Sequence, residues 1–255
     1  MTDFVFIDSG VGGIPYMTSL LQKEPVVSCV YVADNANFPY GEKSHEEVVA
    51  CVISLVEKIC KRFEPAVIVL ACNTISVNAL EVLRQKFPKV QFVGTVPAIK
   101  LAASITKNKC IGLLASASTC ENPYNLELKN KFASDCKLVM RPDAELISFI
   151  EQKGFTASKE EIQQAVGPSI EFFKNNDCDV IILGCTHFLN IKSVFNDMTD
   201  MKIVDSVDGV VRHALDIGDV VEKAPVPPSL YITGQMNPSY EIICSRYKIS
   251  FGGNI

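Results

Sequence analysis

The chain lacks any C-x-x-C pair, and its three histidines, at positions 45, 187 and 213, are far apart. Structural zinc sites are built from closely spaced cysteine and histidine ligands, so both absences argue against one. A long apolar run is missing too. The sequence opens "MTDFVFIDSG" with no basic leader before its first strand-like segment, and nowhere sustains the ~20 apolar residues that cross a bilayer. Neither a signal peptide nor a membrane span is expected, and the cytoplasm follows as the default location. Nor is positive charge in excess: the net charge is -5, which gives no reason to expect nucleic acid or an anionic membrane as a partner. Small solutes remain.

What is present suits a globular enzyme. Hydrophobic residues make up 48% and charged residues 21% of the 255 residues, enough for one large core or two of roughly 100 to 150 residues each. The ten cysteines are ambiguous until placed. Cys29, Cys51, Cys60, Cys110 and Cys178 fall inside apolar segments, where a reduced thiol acts as a small core side chain.

Short β-branched runs alternate with longer helical ones. The strand candidates are 4–7, 29–33, 66–71, 90–94, 110–115, 136–140, 179–184, 201–204 and 230–233. From Ser44 to Phe63 apolar residues recur at helical spacing, and Ser44 with Glu47 forms a capping box; Ser158 with Glu161 repeats that signal before a helix running to about Lys174. Near-continuous apolar strands separated by helices indicate α/β architecture with mainly parallel sheets covered on both faces. The halves also echo each other: "FVFIDS" and "VIVLACNT" in the first, "IGLLAS", "VIILGCTH" and "MKIVDS" in the second. The expectation is two similar lobes, residues 1–97 with the tail 207–255, and residues 98–206, with the active site in the cleft between them.

In parallel sheets ligands bind beyond the carboxyl ends of the strands. Two strands end there on a cysteine, "AVIVLACNT" at Cys72 and "DVIILGCTH" at Cys185. A thiol of ordinary pKa is only roughly 3% thiolate at neutral pH. At a helix N-terminus the dipole and free N–H groups lower that pKa. A single cysteine would suggest a nucleophile. Two, one from each lobe, suggest stereoinversion: one thiolate takes a proton from one face of a carbon while the opposed thiol delivers one to the other. Asp8 ends the first strand, beside either Cys72 or a substrate ammonium group, and "SGVGG" (9–13) follows as a tight turn with N–H donors. Without a GK[ST] ending that turn is no nucleotide P-loop. His187, two residues beyond Cys185, is placed to polarise or protonate that thiol. Asn73, Thr74 and Thr186 can bind a carboxylate or serve as plain helix caps.

"DSGVGG" (8–13), "PYG" (39–41) after Asp34, "ACNT" (71–74) and "GCTHF" (184–188) together resemble cofactor-independent glutamate racemase, in the aspartate/glutamate racemase superfamily. The resemblance implies interconversion of L- and D-glutamate without pyridoxal phosphate or metal, D-glutamate entering bacterial peptidoglycan, and a homodimer. It assigns deprotonation of D-glutamate to Cys72 and of L-glutamate to Cys185, with Asp8 and His187 assisting. Ser9, Pro39, Tyr40, Gly41, Asn73, Thr74 and Thr186 match substrate-binding positions, and Asp34 and Glu151 two supporting acids. The chain departs from the family at "ASASTCENPY" (115–124), "RPDAEL" (141–146), Leu189 and "TGQ" (233–235). The first strand begins almost at once, and the precursor-activated subgroup carries an extension there, so the resemblance points away from that subgroup. Aspartate racemase and a two-lobed amino-acid binding protein are the competing readings; the second has no use for paired thiols.

Overall fold

The structure, a computed structural model, describes residues 2–218 and 226–255. The chain divides into two units, one of Met1–Thr95 with Val207–Ile255 and one of Val96–Ser206. The first begins β1 (Thr2–Asp8), α1 (Ile14–Lys23), β2 (Cys29–Ala33), α2 (His45–Phe63), β3 (Pro65–Leu70), α3 (Asn73–Lys86) and β4 (Gln91–Gly94). The second runs α4 (Ile99–Ile105), β5 (Cys110–Ala115), α5 (Ala117–Glu121), α6 (Tyr124–Phe132), β6 (Lys137–Pro142), α7 (Ala144–Lys153), α8 (Lys159–Asn175), β7 (Val180–Leu183), α9 (Lys192–Met198) and β8 (Lys202–Val204). The tail then adds α10 (Val207–Ile217), β9 (Ser229–Ile232), α11 (Pro238–Tyr247) and β10 (Ser250–Asn254) to the first unit.

Local chemistry sets several of the helix starts. The Ser44 hydroxyl accepts from the Glu47 N–H at 3.2 Å while the Glu47 carboxylate accepts from the Ser44 N–H at 2.8 Å. This closed capping box satisfies two of the free donors at the start of α2. Val48, Val52, Leu55, Val56, Ile59 and Phe63 then form its buried stripe. Ser158 and Glu161 start α8 in the same way. The central strands β2, β5 and β7 are buried throughout, as parallel strands covered by helices on both faces must be.

The first sheet has the order β10-β9-β2-β1-β3-β4 and the second β6-β5-β7-β8, with every pairing parallel. The part they share is one topology: each unit's first strand is central, its second lies on one side, and its third and fourth on the other. The sequence echo thus equates β1 with β5 and β3 with β7. "MKIVDS" belongs to β8, whose counterpart is β4, so its likeness to β1 is not a topological one. Gly112 in β5 has a packing reason, since a Cβ there would lie 2.5 Å from the ring of Phe173 on α8.

Strand β10 carries no apolar alternation and was not expected. It is the edge strand, with Phe251 45% exposed and a register shift between Phe251 and Gly253. An edge strand buried on neither face leaves little pattern to read. Of the cysteines inside apolar elements Cys29, Cys110 and Cys178 are core residues, while Cys51 and Cys60 on α2 are half-buried at its margin; burial pushes the thiol of Cys178 up to about 12, and Cys110 and Cys178 lie 3.7 Å apart as free thiols.

Candidate active site

In the first unit the carboxyl ends of β1 and β3 form one polar cluster. Asp8, fully buried, accepts from the Gly10 N–H at 2.9 Å and from the Ser9 hydroxyl at 3.3 Å. Tyr31, from β2, laces the following turn by accepting from the Gly13 N–H at 2.9 Å and donating to the Gly10 carbonyl at 2.8 Å. Gly13 is needed for a steric reason. A Cβ there would stand 2.6 Å from the Cβ of Ala71 and 2.7 Å from its carbonyl oxygen, so the bare backbone lets the turn rest against the residue before Cys72. Two of the motifs are in this way packed together.

Cys72 is the N-cap of α3, extended at φ -147° and ψ 123°, and buried. With 14 residues behind it, α3 presents a full helix dipole to the thiol. The Cys72 carbonyl accepts from the Ser76 N–H at 3.0 Å and the Ser76 hydroxyl at 2.8 Å, which fixes the cap. Thr74 is buried next to it. Asn73 is buried too, and among the described residues its Oδ1 has no hydrogen-bond partner. A buried acceptor left unmade costs about 1–3 kcal/mol, which a ligand's N–H can recover.

Asp34, one residue past β2, lies at the centre of a second network in the same unit. Its carboxylate accepts from Tyr40 Oη, from Asn37 Nδ2 at 3.0 Å to each oxygen, and from Thr233 Oγ1 at 2.6 Å. Its own N–H donates to the Asp8 carbonyl at 2.8 Å. Tyr40 and Gly41 lie in a 3-10 turn, Tyr40–Glu42, just after Pro39, which follows a cis peptide bond. Burial, with the Asp34 carboxylate second, pushes the Tyr40 phenol far up, so it remains a neutral donor. Asn37 and Thr233 are the residues sequence reasoning missed here. Thr233 lies in the "TGQ" departure, 199 positions from its partner, and no local signal joins the two.

In the second unit Cys185 lies two residues beyond β7, as Cys72 lies two beyond β3. The likeness stops there. Cys185 caps a 3-10 segment, Thr186–Ile191, in place of an α-helix, so the dipole argument that serves Cys72 is weaker here. A histidine and a carboxylate, both buried, take its place. Cys185 Sγ lies 3.7 Å from His187 Nδ1, and His187 Nε2 lies 2.9 Å from Glu151 Oε2. Burial works against the imidazolium, but the hydrogen bonds and charges of Cys185 and Glu151 outweigh it and hold the His187 pKa well above its ordinary value. With an acceptor at each ring nitrogen, the doubly protonated ring satisfies both. Glu151 projects from α7 and is buried with His187; sequence placed it only on a helix. Thr186 is buried beside Cys185, and at the end of β5 the Ser116 hydroxyl donates to Thr119 Oγ1 at 3.0 Å.

Among the described residues no cluster of three or more His, Cys, Asp or Glu is arranged to hold a metal ion, and no helix is long and apolar enough to cross a membrane.

Residues 16–214 match the family described as Asp/Glu/Hydantoin racemase. The glutamate racemase of Treponema pallidum (strain Nichols) is 39% identical over 252 residues, covering 98% of this chain and 93% of the relative. That of Proteus mirabilis (strain HI4320) is 39% identical over 212 residues, 81% of this chain and 72% of the relative. Among solved structures, glutamate racemase of Escherichia coli in complex with L-glutamate and the activator UDP-MurNAc-ala superposes with a TM-score of 0.86 at 30% identity, covering 100% of this chain and 98% of that one. The two strand-end thiols thus sit in a chain that belongs to the Asp/Glu/Hydantoin racemase family of amino-acid racemases.

Proposed function

We propose that the protein interconverts L- and D-glutamate by a two-base mechanism without cofactor or metal, with Cys72 and Cys185 as the bases. The observation that carries this is the pair of thiols at one topological position, two residues past the third strand of each sheet. The relatives reported above are named glutamate racemases, and the Escherichia coli relative holds L-glutamate; both support glutamate as substrate.

In the direction from D-glutamate, the Cys72 thiolate removes the α-hydrogen and the Cys185 thiol gives a proton to the opposite face; from L-glutamate the roles exchange. Chemistry of this kind needs the two sulfurs on opposite faces of one α-carbon, and acid and base of nearly matched strength. The N-terminus of α3 stabilises the thiolate of Cys72, with Asp8 assisting. Cys185 is served by His187, whose imidazolium stabilises the thiolate left after proton donation. Since that imidazolium persists to raised pH, its loss contributes to the alkaline limb of the rate profile, beside loss of the proton from the donor thiol. Ser9, Pro39, Tyr40, Gly41, Asn73, Thr74 and Thr186 hold the substrate, the free Asn73 Oδ1 suiting the ammonium group. Asp34 keeps Tyr40 in place. The resemblance further supports a cytoplasmic homodimer that supplies D-glutamate to peptidoglycan, and so to cell-wall biogenesis and cell shape, with no nucleic-acid or membrane partner.

The test is incubation of the protein with a panel of L-amino acids in D2O, without added cofactor and with a chelator, following optical rotation and α-hydrogen exchange. Exchange confined to glutamate is expected. Exchange with aspartate alone would move the substrate assignment, and exchange with no amino acid would favour a binding protein. Cys72→Ser and Cys185→Ser should each abolish turnover and leave glutamate binding largely intact; racemisation at the normal rate in either would refute two-base chemistry.

A further inference from the structure

The "RPDAEL" segment, where the chain departs from its family, opens α7, the helix that carries Glu151. Asp143 is the N-cap of that helix, one carboxylate oxygen accepting from the Leu146 N–H at 3.0 Å. In an ordinary cap the second oxygen faces water. Here it accepts from the hydroxyl of Ser169 on α8, and that hydroxyl accepts in turn from Arg141 Nε at 2.9 Å. Arg141, in β6, also lies 3.7 Å from the Asp143 carboxylate, and its guanidinium stacks 5.1 Å from the Phe172 ring. The Asp143 N–H donates to the Ala115 carbonyl at 3.1 Å. The first residue of the cap is therefore held by β5, β6 and α8 together.

Ser169 is fully buried. A hydroxyl buried between a carboxylate and a guanidinium satisfies both, and charge-assisted bonds of this kind are the strong ones. A helix of ten residues is too short to be stable alone, so its position is set by what anchors it. Glu151 lies eight residues beyond Asp143, about 12 Å along the axis. Any tilt at the cap is carried to the Glu151 carboxylate and opens its 2.9 Å contact with His187.

We infer that Asp143, Ser169 and Arg141 are positioning residues for the Cys185 half of the site, holding α7 where Glu151 meets His187. This rests on the reading of His187 and Glu151 given above. The charges that face His187 are few. Cys185 stands at the end of β7 and Glu151 on α7, while the other charges of α7, Glu145 and Lys153, are exposed. On α9, Lys192 pairs with Asp205 at 2.6 Å and Asp197 with Lys159 at 2.7 Å.

The experiment compares wild type, Ser169→Ala, Arg141→Met, Glu151→Gln and the double variant Ser169→Ala/Glu151→Gln. The readouts are kcat and KM for glutamate, the alkaline limb, and the NMR titration of the His187 ring, identified among three histidines by His→Asn substitution. Arg141 is 27% exposed in its side chain, and its methionine variant keeps an apolar stem over Phe172 while Ser169 stays in place. Ser169→Ala and Arg141→Met should each lower kcat about tenfold, as small misplacements of catalytic groups do. KM should stay within twofold, while the limb and the His187 titration move to lower pH. In the Glu151→Gln background, Ser169→Ala should move neither further. A normal His187 titration in both single variants would overturn the inference, as would an equal further shift in the double variant. If Glu151→Gln itself leaves the titration unchanged, the parent reading of His187 and Glu151 fails instead, and the inference with it.

Discussion

Replacing Glu151 by glutamine keeps an oxygen acceptor at the same reach but removes the charge that faces His187 Nε2 across 2.9 Å. A buried hydrogen bond to a charged partner contributes about 1.5–3 kcal/mol and a neutral one about 0.5–1.5, so the imidazolium loses roughly 1–1.5 kcal/mol of selective stabilisation. Since one pKa unit is about 1.4 kcal/mol, the His187 titration should fall by about one unit. The sign follows from the wild-type shift. The pKa is raised, so the imidazolium survives to high pH; with part of the cause removed it is lost at lower pH, and the alkaline limb retreats with it. Turnover at neutral pH should fall about tenfold, the equivalent of 1.4 kcal/mol in the barrier. L- and D-glutamate are mirror images of equal free energy, so kcat/KM in the two directions must remain equal in every variant. What can differ is which proton transfer limits the rate. On the proposed assignment of Cys185 to L-glutamate, weakening the Cys185 half should raise the primary isotope effect with α-deuterated L-glutamate and lower it with α-deuterated D-glutamate. An unmoved alkaline limb with isotope effects as in wild type would refute this role and leave Glu151 a packing residue.

Two other substitutions follow from the first unit. Gly13→Ala should destabilise the protein and lower activity together, because its Cβ would meet Ala71 at 2.6 Å and push the turn away from Cys72; overpacking of this kind costs about 1–3 kcal/mol, and a melting temperature unchanged from wild type would count against it. Tyr40→Phe removes one of the donors on the buried Asp34 carboxylate; a loss of about 1–3 kcal/mol in stability, with KM raised more than kcat is lowered, is expected in denaturation and steady-state assays, and an unaffected KM would remove Tyr40 from the substrate-binding set.

Much of this architecture was legible because parallel sheets write themselves plainly. Strands buried on both faces are continuous apolar runs, and residues 29–33 and 110–115 were read to the residue. Capping boxes are equally local, which is why α2 and α8 could be started correctly at Ser44 and Ser158. The strand ends were readable for the same reason: Asp8, Cys72 and Cys185 are where apolar runs stop. What could not be read is what depends on tertiary approach. Thr233 reaches Asp34 from just past a strand remote in sequence, Ser169 reaches Asp143 from the middle of a helix, and β10 shows neither period nor burial. The length of the helix after each cysteine was also hidden, since "CNTIS" and "CTHFL" look alike as strand endings but lead to an α-helix in one unit and a 3-10 turn in the other.

That last difference bears on how a repeated fold comes to perform an even-handed reaction. Both sheets place a thiol at one topological point, yet the surroundings could not be duplicated without duplicating the helix. In the first unit α3 supplies a fixed dipole, an influence that does not titrate. In the second, the 3-10 segment offers little of that, and a protonated histidine backed by a buried carboxylate supplies a full charge in its place. A substrate whose enantiomers are equal in energy asks for two proton transfers of similar difficulty, so the two thiols need matched strength, not matched neighbours. The consequence is a division of pH sensitivity between the units. At high pH the Cys185 side has a supporting charge to lose, the imidazolium of His187, for which the dipole of α3 has no titrating counterpart. A substitution that removes His187 should therefore change the alkaline limb, whereas substitutions around α3 should change the rate without moving the His187 titration.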